Sequence, residues 1–97
     1  MKRLCLLVIG SNFLDKPGLH KFLTGNNAVI PDWWHYLDTC YILQTALTLA
    51  QLQDQLVRQF PNQQFLLQEI NPKRYAGWLP REAWNWLARY TGWSVAP

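Results

Sequence analysis

The stretch of residues 33–45 limits the fold more than any other part of the chain, because its side chains alternate with the two-residue period of β-strands. Two strands are predicted, over Trp33–Leu37 and Cys40–Thr45, with Asp38-Thr39 as the tight turn of a hairpin. The first strand is expected to divide its side chains between two faces, with Trp34 and Tyr36 on one and Trp33, His35 and Leu37 on the other. This hairpin places one antiparallel pair of strands in the middle of the chain.

Before the hairpin, the sequence predicts one strand and one helix. Residues 2–10 form a β-rich run that is apolar on both faces and closes at a glycine, as expected of a strand in the middle of a sheet. After a loop over residues 11–16, Pro17 suits a first helical turn and Asp15 can cap it. The apolar stripe of this helix consists of Leu19, Phe22 and Leu23. Residues 25–27, which tolerate positive φ, end the helix.

The helix that follows the hairpin carries the clearest local signals. Thr48 and Gln51 have the spacing of a capping box, and Leu47 and Leu52 occupy the two hydrophobic-staple positions around it. The apolar residues on one face of this helix are Leu49, Leu52, Leu56, Val57 and Phe60. The sequence therefore predicts an amphipathic helix with a well-defined start.

Two further elements complete the pattern. Pro61 ends the preceding helix, and a fourth strand is predicted over residues 64–70, which Asn71-Pro72-Lys73-Arg74 interrupts. Pro80 opens a final helix that Gly92 ends. The residues expected to share its apolar face are Ala83, Trp84, Leu87 and Ala88.

The order of these elements is β-α-β-β-α-β followed by a helix, which predicts an α+β fold of the ferredoxin-like type. We expect a single domain over residues 1–97, with an antiparallel four-stranded sheet, two helices on one face and an additional C-terminal helix. Since the strands are apolar on both sides, the face without helices needs a cover. Twofold pairing with a second copy is the expected cover, so the sequence predicts a homodimer.

Size and composition exclude several classes of protein. The chain has 97 residues, of which 49% are hydrophobic, so it is predicted to be globular rather than disordered. The longest apolar run, Leu4 to Ile9, is far shorter than the roughly 20 residues that cross a bilayer, and it lacks the features of a signal peptide. We therefore expect a cytoplasmic protein without a membrane partner. Cys5 and Cys40 fall in predicted strands, where buried free thiols are common.

Aromatic residues are concentrated in two tracts, residues 32–45 and 77–87, which hold five of the six tryptophans. The members of this aromatic signature are Trp33, Trp34, His35, Tyr36, Trp78, Trp84 and Trp86. Such large rings favour packing in a core or a dimer interface. Stacking of nucleic-acid bases is the alternative, as in binding proteins that present aromatic rings on a sheet.

The net charge is +3, and the basic residues lie mainly near the two ends of the chain. This distribution is typical of solvated termini, and it also fits a surface that faces phosphates. If such a surface exists, the residues expected to contact phosphates are Arg3, Lys73, Arg74 and Arg81. Nucleic acid is therefore one candidate partner.

The two histidines have no neighbours at a spacing that indicates catalysis or metal binding. His35 is expected to be a half-buried strand residue that is hydrogen-bonded to Asp32 or Asp38, with a role as general acid or base as the alternative. His20, on a short basic helix, is expected to be solvated. The sequence contains no C-x-x-C, H-x-x-x-H or E-x-x-H spacing and no phosphate-binding glycine loop. No metal and no cofactor are predicted.

Several motifs, in the same order along the chain, resemble those of a known family. They are Lys16-Pro17-Gly18, Trp33-Trp34-His35-Tyr36-Leu37, Thr39-Cys40-Tyr41-Ile42, Gly77-Trp78-Leu79-Pro80 and Glu82-Ala83-Trp84-Asn85-Trp86. Over residues 4–88, the chain resembles the small bacterial and phage proteins known as SinR-like. That family is similar to the CRISPR-associated spacer-acquisition proteins and to virulence-associated toxin ribonucleases with the same fold.

The resemblance implies a ferredoxin-like homodimer. In the relatives, an aspartate at the end of the first strand, one from each subunit, is proposed to hold a divalent metal for phosphodiester cleavage. Aligned on Lys16-Pro17-Gly18, this chain has Phe13 at that position, and a shift of one residue offers Asn12. Asp15 lies in the loop, where it is expected to cap the helix. The sequence therefore favours a protein without this cleavage activity.

The function that follows from these expectations is that of a non-catalytic homodimer that acts through macromolecular partners. Two alternatives stay open. One is a small metal-dependent endonuclease or toxin of the spacer-acquisition or virulence-associated type. The other is a structural module for protein interaction.

Overall fold

A computed structural model describes residues 3–71 and 77–91 of the chain. Its elements are β1 (Arg3–Ile9), α1 (Lys16–Gly25), β2 (Asp32–Leu37), β3 (Cys40–Thr45), α2 (Leu49–Gln59), β4 (Phe65–Glu69) and α3 (Arg81–Thr91). Every predicted strand and helix is present, with limits that shift by one or two residues. The predicted loop residues 72–74 and the predicted helix end at Gly92 lie outside the described residues.

The four strands form one antiparallel sheet in the order β2-β3-β1-β4. This confirms the α+β class and the central position predicted for the first strand. Because each neighbouring pair is antiparallel, β1 runs parallel to β2 with β3 between them, and β3 runs parallel to β4 with β1 between them. The helices α1 and α2 therefore each connect two parallel strands across an intervening one.

Two helix starts are fixed by local side chains, as the sequence predicts. Asp15 accepts a hydrogen bond of 2.9 Å from the backbone N–H of Gly18. Thr48 and Gln51 form a complete capping box, with reciprocal bonds of 3.1 and 2.9 Å. These caps satisfy N–H groups that a helix start leaves without intrahelical partners.

One face of the sheet packs against α1 and α2. The fully buried residues of this first core come from β1, β3 and both helices, and they include Cys5, Leu7, Leu19, Leu23, Tyr41, Leu43, Leu52 and Leu56. Val57 was expected on the buried face of α2 but is 49% exposed. The buried residues of this helix are Leu52 and Leu56, so the apolar face that contacts the sheet is narrower than predicted.

The opposite face of the sheet packs against α3. The buried residues of this second core are Leu4, Trp34, Ala83, Trp84, Trp86 and Leu87, and Ile42 and Ile70 pack beside them. The expectation of a sheet face without helices is therefore wrong. Helix α3 fills that place because its apolar side consists largely of wide aromatic rings, which cover sheet surface that would otherwise be exposed.

Asp32, at the start of β2, holds α3 to the sheet. Its Oδ2 accepts a hydrogen bond of 2.9 Å from Trp86 Nε1 and a second, short one from the Tyr90 hydroxyl. Its Oδ1 accepts the backbone N–H of Trp33 at 2.9 Å. The hydrogen bond to Asp32, followed by burial, raises the pKa of Tyr90. The phenol therefore stays protonated and continues to donate at neutral pH.

A register shift in β2 changes the face on which its last residue lies. Trp34 is paired with Ile42, but Leu37 is paired with Cys40, so one extra residue of β2 lies between the two pairs. Directly paired residues of antiparallel strands share a face. Leu37 therefore lies on the α3 face, and the prediction that it shares the face of Trp33 and His35 is wrong.

The bulge completes a row of apolar side chains across all four strands. Leu37 is paired with Cys40, Cys40 with Val8, and Val8 with Leu66. We call these four residues the apolar row. They lie on the α3 face, but the α3 contacts in the described part of the chain are made further along the strands. Leu37 is 51% exposed and Leu66 is 61% exposed.

Cys5 and Cys40 are free thiols on opposite faces of the sheet, so the prediction of unpaired cysteines is confirmed. Burial raises the pKa of the Cys5 thiol above its usual value, with a smaller contribution from Glu69. Among the residues that the structure describes, no helix has the length and apolar character needed to cross a membrane.

Candidate functional site

Four aromatic rings form a compact cluster between α1 and the sheet edge at β2. The rings belong to His20, Trp33, His35 and Tyr41, and we call them the aromatic box. All six pairs of ring centroids lie between 4.5 and 6.0 Å apart. Tyr41 is fully buried beneath the others, whereas His35 is exposed.

The rings on the two strands are nearly parallel to one another. His35 stacks with Trp33 at an interplanar angle of 19° and with Tyr41 at 24°. His20 reaches these rings from α1, and its Nε2 shares a hydrogen bond of 2.7 Å with the Tyr41 hydroxyl. Strand alternation places Trp33 and His35 on one face of β2, and helix α1 adds the fourth ring.

Both predictions for the histidines are wrong. His20 is half-buried and hydrogen-bonded rather than solvated, because packing of α1 on the sheet brings it over Tyr41. His35 is exposed, and the two carboxylates predicted to bind it are used elsewhere. Asp32 accepts hydrogen bonds from α3, and Asp38 forms an ion pair with Lys16 at 3.2 Å.

The surroundings of the box keep two of its groups neutral. Burial, then His35 and then Lys16 lower the pKa of His20 below its ordinary 6.5. Burial, followed by the nearby Asp38 carboxylate, raises the pKa of Tyr41 above 10. At neutral pH the pair is therefore an imidazole and a phenol, which suits the hydrogen bond between them.

A polar groove lies between α1 and α2, and both helices contribute to its lining. It has a volume of about 490 Å³ and is lined by Gly18, Lys21, Phe22, Asn26, Gln55, Arg58 and Gln59. We call it the interhelical groove. The lining contains two cations and three amides and no carboxylate, a set of groups that favours anionic ligands. Arg58 also forms an exposed ion pair of 2.9 Å with Asp54, one turn earlier on α2.

The four residues predicted to contact phosphates do not form one described surface. Arg3 forms an ion pair with Glu69 at 3.1 Å and donates to the Leu47 carbonyl at 3.1 Å. Arg81 begins α3, on the opposite face of the sheet. Lys73 and Arg74 lie outside the described residues. Lys21 and Arg58 were not predicted, because only the packing of α1 beside α2 brings them together.

The aromatic signature divides among several environments. Trp34, Trp84 and Trp86 are buried in the second core, where Trp34 and Trp86 meet edge to face at 5.9 Å, which confirms core packing for these rings. Trp33 is half-buried in the aromatic box, and Trp78 is 92% exposed. Only the backbone of Tyr36 is described.

The segment after β1 has no acidic group at the position where the resemblance implies a metal ligand. Phe13 is buried in the first core and Asn12 is exposed. Asp15 caps α1, as predicted. In residues 3–71 and 77–91, no three side chains of histidine, cysteine, aspartate or glutamate converge in a way that could hold a metal ion.

Comparison of the chain with protein families, with curated proteins and with solved structures gave no match.

Proposed function

We propose that this chain is a ferredoxin-like homodimer, related to the SinR-like proteins, that acts by binding macromolecular partners rather than by catalysis. The order β-α-β-β-α-β and the strand order β2-β3-β1-β4 support the ferredoxin-like assignment. In that plan, each helix connects two parallel strands that have a third strand between them. The same plan is what the resemblance to SinR-like proteins implies.

The apolar row is the observation that carries the homodimer proposal. It extends across all four strands, and the half-exposed side chains of Leu37 and Leu66 lie at its two ends. A twofold contact brings the same patch of both copies together, so like charges within it would repel. The four side chains of this row carry no charge, and the row is therefore suited to contact its own copy.

A binding role is also supported by the segment after β1. Phe13 contributes to the core, and the Asp15 carboxylate is occupied by its cap on Gly18. Phe13 and Asp15 therefore have structural tasks in the segment where the relatives are proposed to hold a metal.

The homodimer is tested by replacing the two exposed leucines of the row. Size-exclusion chromatography with light scattering, at micromolar protein, should give twice the 11.4 kDa of the chain. The double variant Leu37→Lys/Leu66→Lys should give the mass of one chain, because it would bring four ammonium groups together in the contact.

The matched control is Val57→Lys, which introduces the same charge at a side chain that is 49% exposed on α2, the helix that packs on the opposite face of the sheet from the row. This variant should remain a dimer. A wild-type protein that is monomeric at every concentration would disprove the dimer. A double variant that is still dimeric, with unchanged circular dichroism, would show that another surface pairs the two copies.

A further inference from the structure

We propose that the aromatic box and the interhelical groove together bind single-stranded nucleic acid, with a base stacked on His35 and phosphates placed beside Lys21 and Arg58. The site lies on the α1 and α2 side of the sheet, whereas the apolar row lies on the α3 side. The inference therefore goes beyond the proposed homodimer and does not depend on it.

The box provides a preformed surface for stacking. His35 is exposed, and it is supported from below by its stacked contacts with Trp33 and Tyr41. The hydrogen bond between His20 and Tyr41 connects α1 to β3 beneath these rings. Since the support is already ordered, a base that stacks on His35 would immobilise few side chains on binding. Every base has a π-face, so this contact discriminates little between sequences.

The groove provides the complementary charge. Lys21 and Arg58 can contact phosphate oxygens, and the amide groups of Asn26, Gln55 and Gln59 can form hydrogen bonds with the sugar. The rest of the lining contains no carboxylate that would repel a phosphate.

Helix α1 connects the two parts of the site. His20 and Lys21 are neighbours in sequence, so one helix presents both a ring of the box and a cation of the groove. A helix with its side chains is about 10 Å across, which a few nucleotides of an extended strand can span. A nucleic-acid strand that crosses α1 would therefore place a base on one side of the helix and phosphates on the other.

Three carboxylates lie close to the site, and each already has a partner. Asp54 is paired with Arg58, and Asp38 is paired with Lys16. Asp15 lies beside the groove residue Gly18 and accepts its backbone N–H. The Arg58 side chain is 75% exposed, so its ion pair is weak and can be exchanged for contact with a phosphate.

The proposal is tested by fluorescence anisotropy with a fluorescein-labelled oligouridylate of about 12 nucleotides, within the range of known single-strand site sizes. At low salt, the wild-type protein should bind, and His35→Ala should bind about tenfold more weakly through loss of stacking. His35→Phe should restore the affinity, because it keeps a flat ring without a titratable group. In the double variant Lys21→Gln/Arg58→Gln, the decrease of log affinity with log salt concentration should become less steep. Each lost phosphate contact should lower the magnitude of the slope by about 0.7, which gives about 1.4 for the two.

Matched controls separate this site from the rest of the surface. Trp78→Ala removes an exposed aromatic ring, and Arg81→Ala removes an exposed cation, both outside the site. Neither should change the affinity. The dimer-contact variant Leu37→Lys/Leu66→Lys should also bind through each subunit, so that failure of the homodimer and failure of this site are distinguishable.

Three results would overturn the proposal. These are absence of binding by the wild type at low salt, unchanged binding by a folded His35→Ala variant, and loss of binding in Arg81→Ala or Trp78→Ala alone. A free nucleotide has the same base and phosphate as a strand, so uridine monophosphate serves as competitor against the oligouridylate. If an unlabelled strand displaces the labelled oligonucleotide and the mononucleotide does not, the strand-binding site is supported. If both displace it at similar concentrations, the proposal is overturned in favour of a pocket for a free nucleotide.

Discussion

At Gly18, the space available for a side chain is limited by a neighbouring residue, not by the backbone conformation of the glycine itself. A Cβ atom at this position would lie 2.1 Å from Oδ2 of Asp15, the residue that caps α1. Any side chain at position 18 would therefore displace the cap. The cap and the glycine act as one unit, whereas the sequence predicts only the capping role of Asp15.

This coupling predicts a non-additive pair of substitutions. Asp15→Ala should lower the free energy of unfolding by about 1 kcal/mol, because the N-terminal N–H groups lose an acceptor. Gly18→Ala should have almost no net effect, since the gain in helix propensity of up to about 1 kcal/mol is offset by the lost cap. In the Asp15→Ala background, Gly18→Ala should instead stabilise. Urea denaturation of the four proteins measures the coupling, and simple additivity would contradict it.

His20 should make stability depend on pH. Its pKa is lowered in the folded protein, chiefly by burial, whereas in the unfolded chain it takes the ordinary value of 6.5. The unfolded chain therefore binds the proton more readily as the pH falls below about 6.5, and the free energy of unfolding should decrease there. Above that pH, the contribution is fully present.

The measurement is urea denaturation at a series of pH values from about 7.5 to 5.5, above the range in which carboxylates titrate. His20→Gln should remove most of the decrease in the free energy of unfolding at low pH, since glutamine does not titrate and can still form a hydrogen bond with Tyr41. His35→Gln is the matched control and should keep most of it, because the burial of His20 remains. An equal decrease in the wild type and in His20→Gln would show that other groups cause it.

At the scale of elements, the attachment of α3 depends on one carboxylate. Asp32→Ala leaves Trp86 Nε1 and the Tyr90 hydroxyl without their acceptor. We expect a loss of about 2 kcal/mol in the free energy of unfolding, because hydrogen bonds to a charged group are strong and the remaining donors stay desolvated. Urea unfolding followed by tryptophan fluorescence checks this directly, since Trp86 lies in the affected core.

Tyr90→Phe is the matched control for α3, because it removes one of these hydrogen bonds and keeps the ring. It should cost about 1 kcal/mol, less than Asp32→Ala. If Asp32→Ala unfolds at the same urea concentration as the wild type, the aromatic packing alone holds α3.

The elements were predictable to the extent that their signals are local. The capping box of α2 and the aspartate cap of α1 depend on residues three positions apart, so the sequence contains the whole interaction. The bulge in β2 was missed, because alternation predicts faces only when the register is unbroken. That single extra residue moves Leu37 to the other face, and no short-range pattern marks it.

On the scale of the whole molecule, the proposed nucleic-acid site and the proposed dimer contact lie on opposite faces of the sheet. The face under α1 and α2 carries the aromatic box, and the face under α3 carries the apolar row. A homodimer formed through the row would leave both boxes accessible. The two proposals are therefore compatible, and each can be tested while the other site is left intact.

The sequence by itself determined the class of fold, the order of its elements and the residues that begin its helices, because periodicity and capping depend on neighbours along the chain. It also determined that Trp33 and His35 share a face. Tertiary structure alone decided that His20 joins them, since the residues of the aromatic box come from three elements. It alone decided that α3 covers the second face and that Lys21 meets Arg58. Such contacts depend on how helices and strands that are distant in sequence pack against one another. The pattern of residues along the chain does not specify this packing.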